Sequence, residues 1–394
     1  MEAGQGRLLA GCMSGTSADG IDTALLHLDG APLAPRWRIL ALRADPFDPD
    51  VRSLILACSD PDRGSLRDAG ELHLRLGELF ATSLTSLCRD AGVVPDDLDA
   101  VGLHGQTLRH DPDGGLSVQI GSAAVVAETL RCDVIHDFRS RDLAAGGQGA
   151  PLVPYADAVL LRNPGVDRIA LNIGGIANLT WLPAGEGLAD VAGFDTGPGN
   201  MIMDGIVSRA TGGQKSCDHD GELAARGAVL SDVLAEWLAH PFFSRSPPRS
   251  TGREEFGAGF IAPLGERIDA GGAVADLVRT ALEFTVESIA RAVERWLPPL
   301  HGTRAREMIV SGGGARNPFL TDRLARRMAP VAVVTSDEHG LPADGKEAIA
   351  FALLADAFRH GVPAGIPAVT GARRACVLGA LVPGESAIGK GREP

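Results

Sequence analysis

The 394-residue chain holds a single tyrosine, and aromatic residues make up only 4% of it, against 50 glycines and 25 prolines. That balance excludes a fibrous protein and points to a loop-rich α/β enzyme, with apolar residues, at 45%, ample for a large interior. Positive charge is also scarce: 37 Lys and Arg face 50 Asp and Glu, a formal net charge of −13. The balance argues against nucleic acid or an anionic membrane as the main partner, and a small molecule is expected. The six cysteines (Cys12, Cys58, Cys88, Cys132, Cys217, Cys376) include no CxxC pair and no regular spacing. They form no disulfide framework in a chain this long, and read as reduced thiols used as small apolar groups. No run approaches the roughly 20 apolar residues of a membrane span. The start "MEAGQGRLLAGCM" is acidic and its apolar run is broken by glycine, so no signal peptide is expected and the cytoplasm is the expected location.

Two phosphate motifs are missing as well. The nearest approach to GxxxxGK[ST], "TGGQKS" (211–216), lacks the glycine before Lys215, which argues against a P-loop enzyme. "SGGGARNPF" lacks the GxGxxG spacing of a dinucleotide fold. The residue types of "CDHD" (217–220) suit a metal, but all four crowd into one loop with no second cluster, so a zinc site is not expected there.

What is present is alternation of short apolar runs with longer helical patterns, the mark of an α/β architecture. Strands are expected at 7–13, 22–28, 36–42, 100–105, 133–138, 168–174, 178–183, 193–197, 307–313 and 331–336. Helices are expected at 64–92, 121–130, 200–210, 219–239, 272–296, 317–328 and 344–360. In 272–296, Val274, Leu277, Leu282, Val286, Ile289, Ala292 and Val293 recur at helical spacing and predict one buried face. The length predicts two domains. An echo at half-length supports them: "LLAGCMSGTSADGIDTALLHL" and "RIALNIGGIANLTWLP" are both strand, glycine turn, strand, and each is followed later by a strand entering a glycine turn, "AVGLHGQTLRH" and "MIVSGGGARNPF". The expected division is residues 1–160 and 161–394, with 344–384 packing back at the hinge, and the ligand in the cleft between domains.

Three glycine turns thus follow apolar strands, at 14–20, 174–178 and 311–317. Small residues let backbone N–H groups approach a ligand, and Ser14, Thr16 and Ser17 add donors, so a phosphate chain would suit the lining. An ordinary hairpin turn would use the same residues.

With these turns in view the chain resembles the anhydro-N-acetylmuramic acid kinase family, a branch of the superfamily of sugar kinases, actin and heat-shock chaperone ATPases. The likeness rests on "GCMSGTSADGIDTALL", "GLHGQTLRH", "HDFRSRDLAAGGQGAPLVPYAD", "LNIGGIANLT", "GFDTGPGNMIMD", "PPRSTGREEFG", "VSGGGARNPFL", "KEAIAFALLA" and "TGARRACVLGALVPG", in order across almost the whole chain. It implies a two-domain actin-like (ribonuclease H-like) α/β fold with an interdomain cleft. It also implies an enzyme that uses ATP and Mg²⁺ to convert 1,6-anhydro-N-acetylmuramic acid, with hydrolytic opening of the anhydro bond, to N-acetylmuramic acid 6-phosphate and ADP in cell-wall recycling, and a homodimer. A kinase for another sugar, and a non-catalytic nucleotide-binding sugar sensor, are the competing readings. A glycosidase using paired carboxylates is opposed by the phosphate turns.

The resemblance also implies roles. Asp195 in "GFDTGPGN" falls on the family's catalytic aspartate, a base that would activate water; without the family it would read as a turn residue. Glu347 would be a second active-site carboxylate, or a first-turn glutamate favoured by the helix dipole. The loop Ser14, Gly15, Thr16, Ser17, Ala18, Asp19, Gly20, Ile21 and Asp22 would hold the β- and γ-phosphates, with Asp19 and Asp22 holding Mg²⁺ through water. Gly174, Gly175 and Asn178 would bind ATP from the opposite domain, and Gly312, Gly313, Gly314 and Asn317 would lie by the adenosine, although Asn317 also suits a helix N-cap. Arg139 would meet the lactyl carboxylate of the sugar, for which Arg141 is the weaker candidate. His104, Gln106, Gln148 and Asn200 would line the sugar pocket. The tail "GKGREP" is expected to be disordered.

Overall fold

The computed structural model describes residues 6–60, 62–185, 187–269, 274–298, 306–343 and 345–384; the tail after Gly384 lies outside them. In chain order the strands are β1 Arg7–Ser14, β2 Gly20–Asp29, β3 Arg36–Pro46, β4 Ala100–Asp111, β5 Leu116–Ile120, β6 Val134–His136, β7 Asp167–Ile173, β8 Ile176–Leu182, β9 Ala192–Pro198, β10 Arg306–Ser311, β11 Ala332–Thr335 and β12 Ala380–Val382. They form two sheets, one in each of two compact units. The first unit takes the chain up to Leu160, Gly187–Ala189 and everything from Gly345 onward; the second takes Leu161–Glu186 and Asp190–Asp344.

Each sheet repeats one plan. In the first, β1, β2 and β3 run antiparallel as a meander, while β4 and then β6 continue from the other side of β1 in parallel. In the second, β7, β8 and β9 form the same meander, and β10 and β11 extend it in parallel from β7. The half-length echo is therefore a repeated sheet of order third, second, first, fourth, fifth. In such sheets ligands collect beyond the carboxyl ends of the parallel strands, where connections leave in opposite directions. All three glycine turns sit at such ends, after β1, β7 and β10.

The first sheet owes one covering layer to the last part of the chain. Helix Lys346–Arg359 (KEAIAFALLADAFR) is buried from Ala348 to Ala357 and packs on β1, β2 and β4. Contact is possible because Gly11 and Gly102 carry no side chain there: a Cβ on Gly11 would run into the carbonyl of Ala348, and one on Gly102 into that of Phe351. The opposite layer, helix Leu66–Asp90, begins with a capping box between Ser65 and Asp68 and buries Leu72, Leu76, Phe80, Leu84 and Leu87 at helical spacing.

Several elements differ from the sequence expectation. Helix Val274–Trp296 buries more than the apolar stripe: Thr280, Glu283, Thr285 and Ser288 are buried too, and each is hydrogen-bonded, Thr285 Oγ1 donating to Gly199 O at 2.7 Å. It is a central helix, not a face-down one. The single helix expected at 219–239 is a short 3₁₀ turn followed by helices Glu222–Arg226 and Ser231–Leu238, because Gly221 adopts a left-handed conformation and Gly227 an extended one. Helices Pro49–Ser59 and Val153–Leu161 and strands β5 and β12 lie where only loops were expected. Proline at the start of each helix obscured its periodicity, although proline is tolerated in a first turn.

The backbone contact at Gly11 makes a sharp prediction. Gly11→Ala should cost about 2–3 kcal/mol or more through overpacking against Ala348. Gly70→Ala, in an exposed stretch of helix Leu66–Asp90 where an added Cβ would meet no neighbouring group, should instead stabilise by up to about 1 kcal/mol. Urea-unfolding midpoints of the two variants check both signs.

Candidate active site

In the first unit the turn Ser14–Gly20 closes the β1–β2 hairpin. It is tied from below: Ser14 Oγ lies 2.9 Å from Gly20 O and 2.6 Å from Gln106 Oε1, which share its one proton, and Gln106 Nε2 donates to Gly15 O at 3.1 Å. Gln106 is buried and works as a strut under the turn. Ala18 and Ile21 point into the core, leaving only their backbones to meet a ligand, whereas Thr16, Ser17 and Asp19 are exposed. Ser17 Oγ donates to Asp19 Oδ1 at 2.9 Å, and Phe47 N to Asp19 O at 3.0 Å.

Three carboxylates influence one another there. Partial burial and then the Asp19 charge raise the Asp22 carboxyl above its usual range. Glu347, in the first turn of helix Lys346–Arg359, reaches solvent, yet crowding by protein and then Asp22 raise its carboxyl, against the pull of Lys346 and Arg139. The helix start is fixed by a buried ion pair that the sequence did not disclose, Lys346 Nζ to Asp157 Oδ1 at 2.6 Å.

Arg139 and His104 form a defined pair. Arg139 Nη1 donates to Gly149 O at 2.8 Å, and its Nη2 lies 2.9 Å from His104 Nε2. Burial, aided by Arg139, lowers the His104 pKa to about 3, so the ring is neutral. Its Nε2 then accepts from Arg139 while its Nδ1–H donates to Gly105 O at 2.9 Å. Arg139 Nε is buried without a partner among the described residues. The following loop is shaped by Asp142, another residue given no role from sequence: its Oδ2 accepts from Gly149 N at 2.8 Å and its Oδ1 from Thr370 Oγ1 at 2.8 Å. Gln148 stands exposed on that loop, anchored through its backbone N–H to Thr370 O at 2.8 Å.

In the second unit Asp195 lies in β9 opposite Asn178 of β8, beside a register irregularity. Thr251 N donates to its Oδ2 at 2.8 Å, and no described residue bonds to Oδ1. Asp195 N donates to Arg249 O at 3.1 Å, and Arg249 Nε returns a bond to Asp195 O at 2.9 Å. Arg249 is buried over the ring of Phe242, which holds the "RSTGREEF" segment against β9. Burial, only partly offset by the Thr251 N–H and by Arg249, raises the Asp195 carboxyl to about 6. Thr251 and Arg249 were missed as its supports, although the segment itself stood out as a motif.

The other two glycine turns are neighbours within this unit. Asn200 N donates to Gly174 O and Gly199 N to Gly175 O, both at 2.8 Å, so helix Met201–Ala210 starts on the 174–175 turn. Asn200 Nδ2 faces Gly313 of the third turn. Within the second unit it therefore joins the 174–175 and 311–317 turns. Asn317 accepts from Leu320 N at 3.0 Å as the N-cap of helix Pro318–Met328.

Two sheets of one strand order, with glycine turns at the carboxyl ends of their parallel strands, make an actin-like α/β arrangement. The sequence profile of the anhydro-N-acetylmuramic acid kinase family matches residues 7–384. A relative of that name from Caldanaerobacter subterraneus is 41% identical over 95% of this chain and 96% of its own length. Another from Gloeobacter violaceus is 43% identical over 95% and 98%. The chain belongs to the anhydro-N-acetylmuramic acid kinase family. Among solved structures, the activator of the 2-hydroxyisocaproyl-CoA dehydratase from Clostridium difficile with bound ADPNP superposes with a TM-score of 0.43 at 14% identity, covering 88% of this chain and 94% of its own.

The raised carboxyl of Asp195 has a price in stability. Its folded pKa of about 6 lies above the unfolded value near 3.8, so stability is full below the unfolded value and is lost as pH rises through about 6. Asp195→Asn removes the buried charge and should add about 2 kcal/mol at pH 8. The gain should shrink as pH falls from 6 towards 4, as followed by thermal melts at each pH.

Proposed function

We propose that this chain transfers the γ-phosphoryl group of ATP to O6 of 1,6-anhydro-N-acetylmuramic acid while water adds across the anhydro bond, giving N-acetylmuramic acid 6-phosphate and ADP in cell-wall recycling. Asp195 takes a proton from water as the water oxygen bonds to C1; the C1–O6 bond breaks; and O6 takes the γ-phosphorus as its bond to ADP breaks. The observation that carries this reading is the Asp195 carboxylate, with one oxygen held by the Thr251 N–H, the other open, and a pKa near 6 that suits a base working around neutral pH.

The other residues support it. The unpartnered Arg139 Nε, on a guanidinium already oriented by His104 and Gly149, suits the lactyl carboxylate. Glu347 would help place the sugar or the water. The Ser14–Gly20 turn would hold the β- and γ-phosphates and Gly174–Gly175 would bind from the second unit. Asp19 and Asp22 fit a Mg²⁺ held through its waters, since their mutual repulsion is what a cation relieves. When bound, that ion supplies neutralisation of the phosphate charge. A homodimer in the cytoplasm belongs to the same reading. Among the described residues no helix is long and apolar enough to cross a membrane.

Incubation with ATP, Mg²⁺ and the anhydro-sugar in ¹⁸O-water should give a 6-phosphorylated reducing sugar with ¹⁸O at C1; ¹⁸O-free product would sink the hydrolytic step, and absence of product would favour a sensor. Asp195→Asn should lower kcat by about 10²–10⁴-fold with ATP binding retained. In the wild type, kcat/KM should fall as pH drops below about 6 and Asp195 takes up a proton; a flat profile from pH 5 to 8 would remove it from the base role.

A further inference from the structure

A cavity of about 360 Å³ in the second unit adjoins the third glycine turn. Its walls come from Asn200 at the start of helix Met201–Ala210 and Asp204 within it, from Gly313, Arg316 and Asn317 of the third turn, and from His219 of the "CDHD" loop. Gly221, just after that loop, lies directly against the Asn317 side chain, which seats the loop on the turn.

The two carboxylates beside it are not equivalent. Asp218 is spent on its own backbone: Oδ1 accepts from Leu223 N and Oδ2 from Ala224 N, both at 2.9 Å. Asp204 makes no side-chain hydrogen bond to any described residue, although burial and then the Asp218 charge push its carboxyl up to about 6. Its place along the helix is informative. Asn200 starts the helix on the Gly174–Gly175 turn, and Asp204 N donates to Asn200 O at 2.8 Å, one turn on. Four residues of helix are about 6 Å, roughly the step from the phosphates of a nucleotide to its ribose.

We propose that Asp204 is the ribose-reading residue of the nucleotide site, its carboxylate accepting hydrogen bonds from the 2′- and 3′-hydroxyls. The chemistry selects the diol. An adenine edge sets ring acceptors beside its amino donor, whereas two vicinal hydroxyls give two donors to two oxygens. Dinucleotide folds use an acidic residue for the same hydroxyls. The inference rests on the ATP reading above and adds the group that discriminates the sugar of the nucleotide.

The test measures calorimetric binding of ADP and 2′,3′-dideoxy-ADP, and steady-state kinetics with ATP, for wild type, Asp204→Ala and Asp204→Asn. The wild type should prefer ADP by about tenfold or more. Asp204→Ala should bind the two nucleotides equally, with the KM for ATP raised by a similar factor and kcat nearly unchanged, as expected when uniform binding is lost. The isosteric Asp204→Asn should fall between and gives the answer if the alanine variant does not fold. A preference for ADP kept in full by the folded variants, or equal binding by the wild type, overturns the inference and leaves the ATP reading standing. A wild type that binds neither nucleotide overturns both.

Discussion

The first unit depends on one close contact, the approach of helix Lys346–Arg359 to strands β1 and β4 at Gly11 and Gly102. With any side chain at those positions the helix would have to lift away from the sheet. Its first turn carries Glu347, and β1 ends in the Ser14–Gly20 turn, so the same contact fixes a carboxylate relative to the loop offered for phosphate. The Lys346–Asp157 pair secures the helix at that end, and Arg7, bonded to the buried Asp356 at 2.8 Å, secures it near the other. Breaking either pair would leave a charge buried without compensation, which costs far more than an exposed pair contributes.

A second constraint is the treatment of carboxylates crowded by protein. Asp195, Asp204, Asp22 and Glu347 all have carboxyls raised mainly by lost hydration, and the backbone and cations around them offset only part of it. Other carboxylates in the same molecule spend their oxygens on neighbouring groups. Asp142 and Asp218 take two hydrogen bonds each from neighbouring groups and shape loops. Asp195, with one oxygen free of any bond to a described residue, keeps an acceptor capacity that Asp142 and Asp218 have spent.

Much of the architecture was legible in the residues. The apolar runs and the repeated strand, glycine turn, strand pattern pointed to two like sheets, because hairpins and parallel strands leave local signatures. Asp195, Glu347 and the glycine turns were legible chiefly through family motifs. Their supports were not: Gln106 under the Ser14 hydroxyl, Thr251 on Asp195, Asp157 on Lys346 and Asp142 within its loop all act across separations that periodicity does not encode. The contact of Asn200 with the 174–175 turn was hidden for the same reason, since only the start of its helix shows which turns it joins. The break at Gly221 and Gly227 was visible as glycine but not as conformation.

The return of the chain to its first sheet also has a consequence for biosynthesis. The covering helix spans Lys346–Arg359, and β12, which extends the sheet beyond β6, is Ala380–Val382. Residues up to Leu160 therefore leave the ribosome with one sheet face uncovered and an edge unpaired, while the second unit, begun later, is complete in sequence earlier. Nascent chains elongate at about 5–20 residues per second, and exposed apolar surface with open strand edges favours aggregation in that interval. The first unit to be translated is thus the last able to fold, and its exposure to chaperones is set by the length of the second.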